Sequence, residues 1–157
     1  MAATLIFNSL LVPHDFSEPA QRVLQVALEL VGGDEPSIIL MHVIDEELVE
    51  MMVSNGFGDR DTIIAKLREQ AERELEQCLS GDLRRVEVKR FASVGVPFLE
   101  IIRKAKDFAV DAIVMGRAGA GQQVGHLLFG STAEHVLRGS TRPVIVLPNN
   151  MLSEPLE

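Results

Sequence analysis

Several short stretches of this chain are apolar at nearly every residue, and they constrain the fold more than any other feature. They occupy residues 10–12, 37–44, 112–115 and 143–148. A strand with one face in water alternates apolar and polar side chains, whereas a strand covered on both faces is apolar throughout. These runs therefore predict strands of a parallel sheet that is covered on both faces. Residues 86–91 alternate instead, which predicts a half-exposed edge strand.

Helical patterns fill the segments between the predicted strands. Apolar residues recur there at steps of three and four, as in helices that bury one face. Ser17 is placed to cap the first helix. Ser131 and Glu134 match a capping box for the last helix, in which Leu137 would face inward. Because strands alternate with helices from end to end, we predict one α/β domain over residues 1–157, with a parallel sheet and helices on both faces.

The composition argues against several classes of function. The net charge is -8 and no dense block of Lys and Arg occurs, so we expect no nucleic-acid binding. The first residues do not resemble a signal peptide, and no apolar run is long enough to span a bilayer, so we expect no membrane association. The single cysteine, Cys78, excludes an intrachain disulfide and fits a reducing compartment. We therefore expect a cytoplasmic protein.

The sequence shows no set of residues with the spacing of a catalytic or metal site. Its histidines lack the spacing of metal ligands, and the single cysteine supplies no partner for them. No Ser-His-Asp arrangement can be nominated either. We expect no metal site and assign no catalytic residues.

A glycine-rich segment, residues 116–132, follows the predicted strand at 112–115 and leads into the last helix. Glycine lets the backbone approach a ligand closely, and a helix N-terminus offers N–H groups and a positive dipole end. Together they make an anion site, most often for phosphate. The segment could also be only a flexible connection, but its position between a buried strand and a helix start favours the anion site.

The glycine segment matches neither of two well-known phosphate motifs. Gly116 and Gly121 have the spacing of a Walker A loop, but Gln122 and Gln123 stand where that loop needs Lys and a hydroxyl residue. The dinucleotide pattern fails because the spacing up to Gly125 is one residue too long and the segment follows the fourth strand. These mismatches argue against efficient phosphoryl transfer and against dinucleotide binding.

Ligands of open parallel sheets bind beyond the carboxyl ends of the strands, where the strand order reverses. Pro13 and Asp15 follow the first predicted strand, Val43 lies near the end of the second, and Gly116 ends the fourth. If the first and fourth strands are neighbours, a nucleotide would place its sugar near Asp15 and its base near Val43. Its phosphates would then lie on the glycine segment and the start of the last helix. A carboxylate suits ribose hydroxyls, although Asp15 would serve equally well as a turn residue.

These segments together resemble the nucleotide-binding branch of the universal stress protein family. The matching pieces are residues 11–17, 41–44, 114–119, 127–131 and 143–146. The resemblance implies an open, Rossmann-like, five-stranded parallel sheet in the order 3-2-1-4-5. It implies ATP or AMP in the cleft, with Mg²⁺ accompanying ATP, and a homodimer through the last strand.

The resemblance also implies roles for individual residues. Asp15 would contact ribose, Val43 would contact adenine through its backbone, and the last strand would place Val144 and Val146 in the dimer interface. The residues implied around the nucleotide are Pro13, Asp15, Val43, Met115, Gly116, Arg117, Gly119, Gly121, Gly130, Ser131 and Thr132.

Two departures from the family pattern affect the phosphate segment. The family has nine residues between its second glycine and its Gly-Ser or Gly-Thr pair, whereas residues 120–129 here make that spacer one longer. Gly121 would then take part in place of Gly119, or the segment would bulge. Ala118 stands where many nucleotide binders carry a histidine.

Three functions remain open on the sequence alone. The first is a regulatory dimer that binds adenine nucleotide and signals to an unidentified protein partner. The second is a slow ATPase, for which only Asp15 or His14 could act on water, and the missing phosphate lysine argues against it. The third is a nucleotide-free dimer that works through protein contacts.

Overall fold

Strands and helices alternate along the chain as the sequence predicts. The structure is a computed structural model that describes residues 6–81, 83, 85–117 and 129–148. Its elements are β1 (Ser9–Pro13), α1 (Glu18–Leu30), β2 (Ser37–Asp45), α2 (Glu46–Ser54), α3 (Arg60–Gln77), β3 (Glu87–Gly95), α4 (Pro97–Asp107), β4 (Ala112–Gly116), α5 (Ser131–Gly139) and β5 (Val144–Leu147). None of the described helices is both long and apolar enough to cross a membrane.

The five strands form one parallel sheet in the order β3-β2-β1-β4-β5, which confirms the predicted topology. β1 and β4 are neighbours, with Leu10 opposite Ala112 and Leu11 opposite Ile113. From β1 the chain proceeds to β2 and β3 on one side, and from β4 to β5 on the other. The loops that leave β1 and β4 therefore diverge, and the crevice between them is the usual ligand site of such sheets.

Helices cover both faces of the sheet, which explains the unbroken apolar runs. Successive strand residues point to opposite faces. Leu10 and Val12 accordingly pack with α1 and Leu75, whereas Leu11 packs with α4 and α5. A third, smaller cluster of Ile44, Val49 and Ile63 joins the end of β2 to α2 and α3. All of these side chains are buried, and this burial is the main force that holds the layers together.

The helix starts confirm one predicted cap and correct the other. Ser17 caps α1, and its hydroxyl accepts the N–H of Ala20 at 3.2 Å. The capping box at α5 is wrong, because Gly130 is the N-cap residue and Ser131 is already helical. The carboxylate of Glu134 instead pairs with Arg138 at 2.8 Å.

The inward face of α5 also differs from the prediction. Val136 is fully buried, but Leu137 is 40% exposed. Ala133 is the other buried residue of this helix, and it precedes Val136 by three positions. The buried stripe is therefore too narrow to include Leu137.

Candidate functional site

A cleft of about 210 Å³ lies beyond the carboxyl ends of β1, β2 and β4, with the start of α5 as its far wall. Of the residues predicted around the ligand, those that line it are Pro13, Asp15, Val43, Met115, Gly116, Gly130 and Thr132. The strand order thus brings together segments from four parts of the chain. Gly119 and Gly121 lie outside the described residues.

Two predicted site residues, Arg117 and Ser131, are not among the described residues that line the cleft. The N–H of Arg117 donates to the carbonyl of Leu147 at 3.0 Å, and its carbonyl accepts the N–H of Gly130 at 2.8 Å. Arg117 therefore links the ends of β4 and β5 to the start of α5. Ser131 is the first residue of α5, between Gly130 and Thr132, which both line the cleft.

The loop after β1 holds Asp15 at the rim of the cleft. The carboxylate oxygen Oδ1 of Asp15 accepts the backbone N–H of Ser17 at 3.1 Å and also the hydroxyl of Ser17. These bonds form a turn that leads into α1, so Asp15 does act as the turn residue that the sequence allowed. The side chain remains exposed at the edge of the cleft, where a ligand can reach it.

His14 lies in the cleft wall, and the sequence analysis gave it no binding role. His14 is only 4% exposed. Ring atom Nδ1 accepts the backbone N–H of Phe16 at 2.9 Å, which places the ring proton on Nε2. Nε2 faces the Oε1 atom of Gln21 at 3.3 Å, and the amide of Gln21 donates to the carbonyl of Cys78 at 2.8 Å. Burial lowers the pKa of His14 below its usual value, so the ring is neutral near pH 7.

His42 is a second cleft residue to which the sequence analysis gave no role. Its Nδ1 atom donates to the carbonyl of His14 at 2.8 Å. The ring of Phe16 packs against the His42 ring at a tilt of 31°, with centroids 4.4 Å apart, and the backbone of Phe16 has a φ of 66°. A non-glycine residue in this region costs about 1–3 kcal/mol, so its surroundings must hold it there. The sequence signal that could have found His42 is its position in an otherwise apolar strand, next to Val43.

The backbone of Val43 faces the cleft because β2 is longer than β1. The pairing of β1 with β2 ends at Pro13 opposite Met41, whereas β2 continues beside β3 as far as Asp45. The carbonyl of Met41 accepts the N–H of His14 at 2.7 Å, so the polar groups of Met41 point toward β1. Residues two apart in a strand point their polar groups to the same edge. The N–H and C=O of Val43 therefore point to the space beyond the end of β1.

The α5 wall offers backbone N–H groups beside short side chains. Gly130, the buried N-cap, has extended backbone angles, and no side chain of the described residues caps the helix. Thr132 and Ala133, in the first turn, line the cleft. The first N–H groups of a helix have no partner within it, and they lie at its positive end. This wall is suited to an anion.

The described residues contain no group of three or more His, Cys, Asp or Glu side chains that could hold a metal ion. Cys78 is half-buried, and its sulfur lies 3.9 Å from Nδ1 of His14. Burial raises the pKa of the Cys78 thiol, and the nearby carboxylate of Glu74 adds to this effect. The thiol is therefore protonated and a weak nucleophile near pH 7.

Val144 and Val146 lie on β5, at one edge of the sheet. Both side chains are half-buried against the cluster under α4 and α5. β5 pairs with β4 along its length, from Ile113 opposite Val144 to Gly116 opposite Leu147. Its other edge has no neighbouring strand among the described residues. An open edge of this kind is a place where another strand could pair.

Comparisons with known proteins identify relatives along nearly the whole chain. The sequence profile of the Universal stress protein family matches residues 7–148. Universal stress protein MJ0577 of Methanocaldococcus jannaschii is 30% identical over 158 residues, covering 92% of this chain and 96% of that protein. Its solved structure has a TM-score of 0.76 and covers 92% of this chain and 97% of that chain.

Two further relatives are more distant. Universal stress protein YxiE of Bacillus subtilis is 25% identical over 148 residues, covering 90% of this chain and 99% of that protein. The universal stress protein of Archaeoglobus fulgidus in complex with dAMP has a TM-score of 0.52 and 23% identity, covering 90% of this chain and 98% of that chain. At that identity the similarity concerns the fold alone.

Proposed function

Because the chain belongs to the universal stress protein family, we propose that it binds an adenine nucleotide, ATP or AMP, and acts as a dimeric regulatory protein in the cytoplasm. The observation that carries the proposal is the pairing of two features across one cleft. The backbone of Val43 points into the space beyond β1, and the start of α5, which no side chain of the described residues caps, lies on the other side. One wall suits the edge of a planar base, and the other suits phosphate.

Each part of the nucleotide has a matching group in this arrangement. The N–H and C=O of Val43 offer one donor and one acceptor to the edge of adenine. Asp15 offers carboxylate oxygens to ribose hydroxyls. Gly130 lets the phosphates approach the backbone closely, and Ser131 and Thr132 offer backbone N–H groups to them, together with Gly119 and Gly121 from the segment outside the described residues. Mg²⁺ would arrive with ATP and neutralise its phosphates.

The fold itself is compatible with this class of ligand. The Archaeoglobus fulgidus protein that shares the fold is in complex with dAMP, an adenine nucleotide. The apolar side chains of Met115 and Ile101 line the same cleft as Asp15 and Thr132. A mostly apolar pocket with a few placed polar groups is typical of small-molecule sites.

The geometry favours binding over hydrolysis. Both ring nitrogens of His14 face protein partners, the N–H of Phe16 and the side chain of Gln21. Asp15 is engaged by Ser17 in the turn that starts α1. Neither group is placed as a strong base toward water, and the sequence lacks the lysine of a Walker A loop. We expect at most slow ATP hydrolysis.

The proposed dimer pairs β5 of one chain with β5 of a second. Val144 and Val146 would lose their remaining exposure to water in that interface. The variant Val146→Lys places a charge there and should convert the dimer to monomers in sedimentation experiments. A dimer that persists in Val146→Lys would contradict this interface.

The direct test of ligand identity starts from the purified full-length protein. Denaturation should release an adenine nucleotide that mass spectrometry identifies, or ATP should raise the melting temperature of the nucleotide-free protein. GTP and CTP serve as controls for recognition of the base. Absence of a bound nucleotide, together with no thermal shift on adding ATP or AMP, would contradict the proposal.

A further inference from the structure

A second concave surface lies beside the nucleotide cleft, and the proposed function does not use it. This groove encloses about 280 Å³ between the end of β2, α2 and α3. We call it the α2–α3 groove. The apolar side chains of its floor are Val43, Ile44, Leu67 and Ala71.

The charged groups that line the α2–α3 groove are all acidic. Asp45 comes from the β2–α2 junction and Glu74 from α3, whereas no Lys or Arg lines the groove among the described residues. Glu46 and Glu47 add acidic charge in the first turn of α2. The groove therefore attracts a ligand that combines apolar groups with positive charge.

Exposed apolar side chains also occur along α2 and in the loop that follows it. Leu48, at the groove, is 42% exposed, and Met51, one turn further along α2, is 55% exposed. Phe57, in the loop after α2, is 70% exposed. Such side chains are rarely left in water at this density, and flexible methionines are common on surfaces that accept helices.

We propose that the α2–α3 groove docks an amphipathic helix of a partner protein, with apolar side chains in the groove and Lys or Arg beside Asp45 and Glu74. This is the helix-in-groove mode of peptide recognition. A second copy of this chain fits less well, because the chain carries a net charge of -8 and the groove itself is acidic. Like charges brought together at an interface are unfavourable.

The groove and the nucleotide cleft share a wall. His42 and Val43 line both of them. Phe16 lines the groove, packs against the ring of His42 with centroids 4.4 Å apart and follows Asp15 in the chain. A helix that presses on Phe16 therefore acts on the residue next to the proposed ribose contact. This coupling rests on the proposed function, and it must be reciprocal: the peptide and the nucleotide change each other's Kd by the same factor.

The test uses the full-length protein and a fluorescently labelled helical peptide of Leu and Lys, with the Leu residues on one face. A peptide with Glu in place of Lys is the control probe. We expect the Leu/Lys peptide to bind and the Leu/Glu peptide to fail. Glu74→Lys should raise the Kd about tenfold or more, because it replaces an attraction in the groove by a repulsion.

Matched variants separate docking in the groove from general attraction to an acidic protein. Glu72→Lys makes the same charge change at an exposed position of α3 that does not line the groove. Leu48→Lys alters the apolar surface, and Leu99→Lys alters an equally exposed leucine on α4. The inference requires that Glu74→Lys and Leu48→Lys lose most of their affinity for the Leu/Lys peptide. The other two variants should bind it nearly as the wild-type protein does. Equal losses in Glu72→Lys and Glu74→Lys, or unchanged binding by Leu48→Lys, would overturn it.

Two further outcomes distinguish this inference from the proposed function. If the protein binds ATP but not the Leu/Lys peptide, docking is overturned and nucleotide binding stands. If the peptide binds in a groove-dependent way but no nucleotide binds, docking stands and the proposed function falls. If Leu48→Lys converts a dimer to monomers in sedimentation, the groove holds a second copy of this chain, and the inference is overturned.

Discussion

The two walls of the nucleotide cleft offer different chemical groups to a ligand. The wall at the ends of β1 and β2 combines the backbone of Val43 with side chains fixed by hydrogen bonds, among them His14, Asp15 and His42. The wall at the start of α5 offers backbone N–H groups around Gly130 and Thr132, with no side-chain cap among the described residues. The first wall can select a ligand through its side chains. The second attracts negative charge whatever its side chains are.

The largest effect is expected from a side chain placed on the α5 wall. Gly130 is buried and lines the cleft, so Gly130→Val would put atoms where the phosphates approach the backbone. Loss of more than one charge-assisted hydrogen bond should weaken nucleotide binding about a hundredfold or more. Isothermal titration calorimetry with ATP measures this, and the circular dichroism spectrum checks that the variant folds. Retention of wild-type affinity by a folded Gly130→Val would show that the phosphates lie elsewhere.

A smaller loss is expected on the side-chain wall. Asp15→Asn removes the carboxylate and should weaken ATP binding about tenfold, the usual effect of losing one hydrogen bond to a charged group. The preference for ATP over its 2′,3′-dideoxy analogue should fall by a similar factor. Removing the carboxylate from the protein and removing the hydroxyls from the ligand both abolish the same contact.

Ser17→Ala is the control for Asp15→Asn. It removes the hydroxyl that binds Asp15 and caps α1, but it leaves the carboxylate in place. If Ser17→Ala weakens binding as much as Asp15→Asn does, Asp15 acts only through the turn and makes no contact with ribose.

The side-chain wall should also respond to acid. Burial lowers the pKa of His14 in the folded protein below its usual value of about 6.5. As the pH falls below about 6.5, the unfolded chain takes up a proton that the folded chain resists, so the free energy of unfolding decreases. Urea unfolding at neutral and mildly acidic pH measures this loss. We expect His14→Gln to reduce the pH dependence of the free energy of unfolding. Equal pH dependence in the wild-type protein and His14→Gln would contradict this account.

The smallest effect is expected from truncating the hydroxyl side chain of the α5 wall. Thr132→Ala leaves the backbone N–H groups of the first turn in place. The Kd for ATP should change less than about threefold, because the backbone contacts remain and the loss falls at the lower end of the range of about 0.5–1.5 kcal/mol for one neutral hydrogen bond. A loss as large as that of Gly130→Val would mean that side chains, and not the backbone, hold the phosphates.

The sequence predicted the fold because its signals were local. Unbroken apolar runs such as residues 112–115 require cover on both faces, and helical stripes between the strands supply it. The position of β1 beside β4 then follows from the resemblance to the family, and it places Asp15, Val43 and Gly130 at one cleft. The start of α5 was misplaced by one residue, because Ser131 is a good N-cap by type and only the extended backbone of Gly130 shows where the helix begins.

The role of His14 could not be predicted in the same way. Phe16 fixes its tautomer locally, but Gln21, which faces the other ring nitrogen, is itself held by the carbonyl of Cys78 at the end of α3, far along the sequence. The α2–α3 groove likewise depends on how two helices pack against the end of β2. Patterns among neighbouring residues do not predict contacts between distant segments of the chain. The roles of Gly119 and Gly121 stay predictions, since both residues lie outside the described part of the chain.

The central claim is that an adenine nucleotide binds between these two walls. Calorimetric titration of the nucleotide-free protein with ATP and AMP, in parallel with Gly130→Val, tests it most directly. We predict saturable binding of one nucleotide per chain to the wild-type protein, no comparable binding of GTP, and loss of the signal in Gly130→Val. The account is contradicted if the wild-type protein shows no binding heat with either adenine nucleotide, or if Gly130→Val binds ATP as the wild type does.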